Sequence, residues 1–247
     1  MNIWKSFGAS VIGPGHIVTG KPNQDSWRSF HHVWGDGIAV SDGLGSKSLS
    51  DFGSDAACRS VEQSARRFSY QKIFAMESTA REKETALSDC ILNSWLNMIS
   101  PLSPKDCAAT CLFAFRLGDG ILRMGMLGDG CTAAVMTDGS VISLTDDKSE
   151  GFSNLTSALS SNTEQKHWTI RDISEQDCTA VVLCTDGVSD DLDNVDGFIA
   201  GFAKSNYGLA SITASRHTRE MLEDWPVPKH SDDKTIACLY REEIIDE

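Results

Sequence analysis

Val181-Val182-Leu183-Cys184-Thr185-Asp186-Gly187 is an apolar, β-branched run that stops on an aspartate followed by glycine. The chain repeats the device at Ile38-Ala39-Val40-Ser41-Asp42-Gly43 and at Met124-Gly125-Met126-Leu127-Gly128-Asp129-Gly130. Each stretch reads as a strand that ends in a turn. Two further aspartates stand in turn-forming settings: Asp25 in Asn23-Gln24-Asp25, and Asp232 in Asp232-Asp233-Lys234-Thr235, just before a last apolar run. Carboxylates gathered at strand ends repel one another unless divalent cations neutralise them, and oxygen-only ligands select Mg2+, Mn2+ or Ca2+ over zinc.

Asp-Gly is also the strongest short hairpin signal. Extended segments flank Asp36-Gly37, Asp119-Gly120 and Asp138-Gly139, so these three are expected to be turns. Loop and then helix follow Asp42 and Asp186, which argues against simple hairpins there. Asp129 stays open at this stage, because Cys131-Thr132-Ala133-Ala134-Val135 suits a hairpin partner.

The 247 residues suffice for a sizeable core, and a 40% hydrophobic content is that of an ordinary globular protein. No apolar run reaches the roughly 18 residues needed to span a bilayer. Met1-Asn2-Ile3-Trp4-Lys5 lacks the layout of a signal peptide. The expectation is a cytoplasmic monomer. A formal net charge of −13 argues against nucleic-acid and anionic-membrane partners. None of the eight cysteines forms a Cys-x-x-Cys pair, so they are expected to be reduced core residues.

Strands are expected near 6–12, 25–34 and 37–42, followed by helices near 48–68 and 77–99. Leu87, Ile91, Trp95 and Met98 recur at helical spacing in the second helix. From Cys107 to Leu144, short extended runs predict an antiparallel meander. Residues 147–166, rich in Ser, Asn and Thr, read as a mobile segment. Strands near 167–172, 178–185 and 234–241 and helices near 195–204 and 209–223 complete the chain. This pattern predicts an α+β fold of antiparallel sheets covered by helices.

The ordered set of motifs resembles the metal-dependent serine/threonine protein phosphatases of the PP2C type, in their bacterial branch. It comprises Gly15-His16 through Asp25, Val40 through Ser46, Leu127 through Gly130, Leu183 through Gly187, and Asp232 through Thr235. The resemblance implies one domain over 1–247 with a four-layer α/β/β/α sandwich and a flap at about 147–166. It implies hydrolysis of phosphoserine and phosphothreonine in proteins by a water or hydroxide shared between two divalent cations, Mn2+ or Mg2+. Asp42 would bridge the two ions, the Gly43 carbonyl would bind one, and Asp186 and Asp232 would hold the other. Asp25 would hold bound waters, and Asp129 would join Asp186 at a third, looser ion. The expected partner is a phosphorylated protein, with a cognate kinase or its target.

The chain also departs from that pattern. Leu44 stands where many relatives carry a histidine proposed as general acid. Gly20 and Lys21 lie where others use a phosphate-gripping arginine, and Lys21 offers only a point charge. His16 can touch substrate phosphate or protonate the leaving oxygen, although a structural hydrogen bond is the preferred reading. Asp190 and Asp191 are expected to cap or solvate a short helix, and Asp233 to support its neighbours. Two other readings are a catalytically weak regulatory binding module of the same fold and a calcium-stabilised binding protein. Retention of Asp25, Asp42, Asp186 and Asp232 favours the enzyme.

Overall fold

The apolar runs that end on aspartates are continuous because their two faces feed two different cores. A computed structural model describes residues 2–74, 80–144 and 157–243. One five-stranded sheet has the order β1 (Asn2–Val11), β10 (Lys234–Glu243), β9 (Cys178–Cys184), β6 (Cys131–Met136), β7 (Val141–Leu144). The other has the order β2 (Asp25–His32), β3 (Gly35–Asp42), β4 (Cys111–Arg116), β5 (Ile121–Leu127), β8 (Thr169–Ser174). Every strand pair is antiparallel.

Alternation along each strand sorts its side chains between layers. Ile38, Val40, Leu112, Ala114, Val181, Leu183, Ala237 and Leu239 meet in the core between the sheets. Ala39, Phe113 and Phe115 turn the other way, onto α2 (Ser50–Phe74) and α3 (Ala80–Ile99), where Leu87, Ile91 and Trp95 come to meet them. Val182, Cys184, Ile236 and Cys238 face α5 (Val195–Asn206) and α6 (Ser211–Glu223). Three stacked cores make four layers, α/β/β/α. Each fully buried Leu, Ile or Phe contributes about 1.5–3 kcal/mol, against about 0–1 kcal/mol for an exposed ion pair such as Arg59–Asp55. Layer packing therefore decides the fold, and the surface charges tune it.

All eight cysteines are free, and all but the half-buried Cys90 are buried. Burial pushes the thiols of Cys111 and Cys238 well up, as expected of core residues. Among the described residues no helix is long and apolar enough to cross a membrane.

Three local readings change. Asp36-Gly37 is not a turn: it lies within β3 opposite His31 and Phe30, and Val33-Trp34 makes the bend. Asp36 is instead spent on ion pairs, accepting from Arg116 at 2.6 Å and from His31 Nδ1 at 2.9 Å. Asp119-Gly120 and Asp138-Gly139 do sit in turns. The expected meander is divided, because β4 and β5 belong to one sheet and β6 and β7 to the other. Gly128-Asp129-Gly130 is thus a crossover between sheets, and φ values of +96° and +101° at its two glycines are open to few other residues. A short helix, α1 (Pro14–Thr19), was not legible; Pro14 starts it and Gly20, at φ +67°, ends it.

Candidate metal centre

The sheet register gathers the aspartates at one end of the sandwich. Asp25 opens β2, Asp42 closes β3, and the two are directly opposed across the ladder. Asp129 follows β5, Asp186 opens the one-turn helix α4 (Asp186–Ser189) just beyond β9, and Asp232 precedes β10. One carboxylate oxygen from each of Asp42, Asp129 and Asp186 lies within 4.8 Å of the others.

Backbone clasps hold these strand ends. The Asp42 amide donates to Thr110 Oγ1 at 2.8 Å, the Thr110 amide donates to the Asp42 carbonyl at 2.7 Å, and Ser41 Oγ donates to the Thr110 carbonyl at 2.6 Å. Across the gap between sheets, Thr185 Oγ1 donates to Asp25 Oδ2 at 2.8 Å and itself accepts from the Thr235 amide at 3.1 Å. Gly187 has to be glycine because a Cβ there would lie 2.0 Å from the Asp233 carbonyl oxygen. Gly187→Ala is expected to cost at least about 2 kcal/mol in urea denaturation, since backbone rather than a flexible side chain blocks the methyl.

Crowding sets the electrostatics. Burial, aided by the charges of Asp129 and Asp232, raises the Asp186 carboxyl to about 6. Burial also raises Asp25, and burial together with the charges of Asp25, Asp186 and Asp232 raises Asp42. Asp25 and Asp42 face each other across the β2–β3 ladder, so the charge of Asp25 adds to the cost of ionising Asp42. Carboxylates crowded this closely are an oxygen-only donor set that a hard cation would neutralise, so the residues fit Mg2+ or Mn2+.

The remaining candidates separate. Asp233 is a buried clamp: it accepts from the Gly13 amide at 2.7 Å, the Gln24 amide at 2.7 Å and His16 Nδ1 at 2.8 Å. It therefore fixes the loop that leads into Asp25. Lys21 is exposed and its ammonium donates to the Gly45 carbonyl at 3.0 Å. Asp191 turns away from the cluster to accept from Trp225 Nε1 at 2.8 Å, with the buried Lys234 ammonium 3.4 Å away. Asp190 is exposed beside Asp186. Sequence reasoning missed Thr110, whose hydroxyl holds the Asp42 backbone amide, and Thr185, whose hydroxyl holds the Asp25 carboxylate; the available signals were a threonine directly before Asp186 and two strand-entry residues at Ala109-Thr110.

Within the segment 147–166, residues up to 156 lie outside the described residues. The rest is anchored beside the cluster: Leu159 is fully buried and bridges Ala109, which in turn bridges Gly43. A Cβ on Gly128 would lie 2.5 Å from the Ser157 carbonyl oxygen, which puts that backbone against the Asp129 crossover.

Two packed antiparallel sheets with helices outside and strand-end carboxylates at one end define a class, the serine/threonine protein phosphatases of sandwich fold. The family model described as Protein phosphatase 2C matches residues 12–225, and the chain belongs to that family. No curated protein matches by sequence search. Among solved structures, serine/threonine phosphatase Stp1 from Staphylococcus aureus superposes with a TM-score of 0.68 at 12% identity, covering 98% of this chain and 96% of that one. RsbX in complex with magnesium gives 0.60 at 14% identity, covering 97% and 96%. A C. elegans sex determining protein gives 0.63 at 12% identity; 96% of this chain is covered, but it spans only 64% of that longer chain. At such identities the likeness is one of fold.

Proposed function

We propose that the protein hydrolyses phosphoserine and phosphothreonine in phosphorylated proteins, with Mn2+ or Mg2+ held by Asp42, the Gly43 carbonyl, Asp186 and Asp232. The observation that carries this reading is the convergence of carboxylates at the strand ends, with one oxygen each of Asp42, Asp129 and Asp186 within 4.8 Å of the others. Asp42, the Gly43 carbonyl, Asp186 and Asp232 would hold two ions, and Asp129 with Asp186 would hold a looser third. When bound, such cations neutralise phosphoryl charge and acidify water.

The chain's own groups do the rest. Thr185 orients Asp25 so that its carboxylate accepts a proton from a water or orders it. Asp233 holds His16 by Nδ1, leaving Nε2 to carry a proton or touch phosphate in place of the histidine that Leu44 replaces. Lys21 contributes positive charge from the loop at Gly45. The anchored half of 147–166, laid between Gly43 and Gly128, supports a flap role for that segment within a single domain over 1–247. A cytoplasmic monomer acting on a kinase or on that kinase's target suits this chemistry. A phosphothreonine peptide should release phosphate with Mn2+ and stop doing so in EDTA. Turnover that persists in chelator, or a trapped covalent phosphoenzyme, would sink the reading.

A further inference from the structure

On a chain whose acids outnumber its bases by 35 to 22, one surface reverses the balance. Two adjoining hollows of about 490 Å³ each run along the outer seam between α2 and α3 and round to the end of the β2–β3 hairpin. Four arginines line them, Arg28, Arg59, Arg66 and Arg67, against a single carboxylate, Glu62. Glu62 is already committed to Arg28 at 2.5 Å and His32 at 2.9 Å, and Arg59 pairs with Asp55 at 2.9 Å, which leaves Arg66 and Arg67 as the groove's surplus charge. Among the described residues, Arg66 and Arg67 have no carboxylate partner; Arg66 lies 5.9 Å from the Tyr70 ring centroid, a cation–π contact that holds the guanidinium at the groove.

The rest of the lining says what kind of anion belongs there. Gln63, Asn93 and Asn97 present amides, which can both donate to and accept from an extended main chain. Tyr70, Met98 and Trp34 offer apolar surface, with Tyr70 48% and Met98 37% exposed. Arginine forks pair with carboxylates. We infer that this groove docks an acidic, extended segment of a partner protein, its carboxylates on Arg66 and Arg67, its main chain on the amides and an apolar side chain on Tyr70 and Met98.

The groove is separate from the aspartate cluster. Arg66 lies about 24 Å along α2 from Ser50, and His32 about 23 Å along β2 from Asp25. The inference therefore stands or falls independently of the proposed reaction. Nucleic acid is the less fitting polyanion, because the net charge of −13 repels a long phosphate backbone whereas a short peptide meets only the local arginines.

The test uses a short fluorescein-labelled peptide rich in Asp and Glu with a central Leu, read by fluorescence anisotropy on the full chain. Binding is expected, weakening about tenfold or more in Arg66→Glu/Arg67→Glu. Asn97→Ala should weaken it by a smaller factor, and a Lys-for-acid version of the peptide should not bind. Both variants lie on the exposed helix face, so their melting temperatures and phosphate release from an aryl phosphate should match the parent. Failure of the peptide to bind the parent, or equal binding by the double variant, overturns the inference. So does tighter, arginine-dependent binding of a homopolymeric RNA or of phosphatidylserine vesicles.

Discussion

Asp42→Asn is expected to slow phosphate release from a phosphothreonine peptide by about a thousandfold or more, and Asp186→Asn by a similar factor, without loss of fold. Asparagine keeps the side-chain volume. The clasps to Thr110 run through the Asp42 backbone, so they survive the change. What is lost is one negative oxygen from a cluster that cations must balance. In chelator the variants should melt no lower than the parent, because each removes a partly buried carboxylate from a mutually repelling set. Asp138→Asn serves as the contrast. Asp138 is exposed in a turn and, among the described residues, bonds Ser140, at 2.9 Å to its amide and 2.6 Å to its hydroxyl. Its substitution should leave turnover unchanged; an equal loss at Asp138 and Asp42 would erase the distinction between turn and site aspartates.

The second large effect is on stability. In EDTA the melting temperature should fall between about pH 5 and pH 8, and millimolar Mn2+ at pH 8 should restore it. In the fold the Asp186 carboxyl keeps its proton up to about pH 6, whereas its ordinary value is 3.8. A raised carboxyl stabilises the folded state fully below the ordinary value, and that stability disappears as pH rises through the folded one. For Asp186 the difference is on the order of 3 kcal/mol. Asp25 and Asp42 shift in the same direction and extend the loss upward in pH. Cations that bind only the folded cluster reverse the loss by mass action, by about 2.7 kcal/mol at a hundredfold excess over Kd. Differential scanning fluorimetry across pH, with and without Mn2+, measures both arms. A melting temperature in EDTA that climbs steadily from pH 5 to pH 8 would show that the carboxylates are not under mutual strain.

Most elements were legible because their apolar runs are long and their punctuation is local. β9 and β10 were readable from Val181–Thr185 and from the run after Lys234, and α5 and α6 lay within a few residues of expectation. The order of the aspartates pointed to one end of the sandwich in the same way, where one oxygen each of Asp42, Asp129 and Asp186 lies within 4.8 Å of the others. Three features were not legible, for physical reasons. Asp36-Gly37 has the local signature of a turn, but Arg116 on the neighbouring strand captures the aspartate and keeps the pair in register. α1 has only six residues and no buried face, so no periodicity announces it. The division of the strands between sheets depends on which layer each face enters, and a strand buried on both sides shows no alternation from which to read that. Glu242, within an acidic C-terminal stretch, continues β10 and pairs with Lys5.

β10 lies between β1 and β9, and its register with β1 runs from Lys234 opposite Val11 to Glu243 opposite Asn2. β1 thus has no neighbour in its sheet until β10 is made, and the Thr185 hydroxyl that donates to Asp25 lacks its Thr235 partner until then. During translation β1 stays unpaired until Lys234–Glu243 has left the ribosome, so a nascent chain arrested upstream of β10 lacks a closed first sheet.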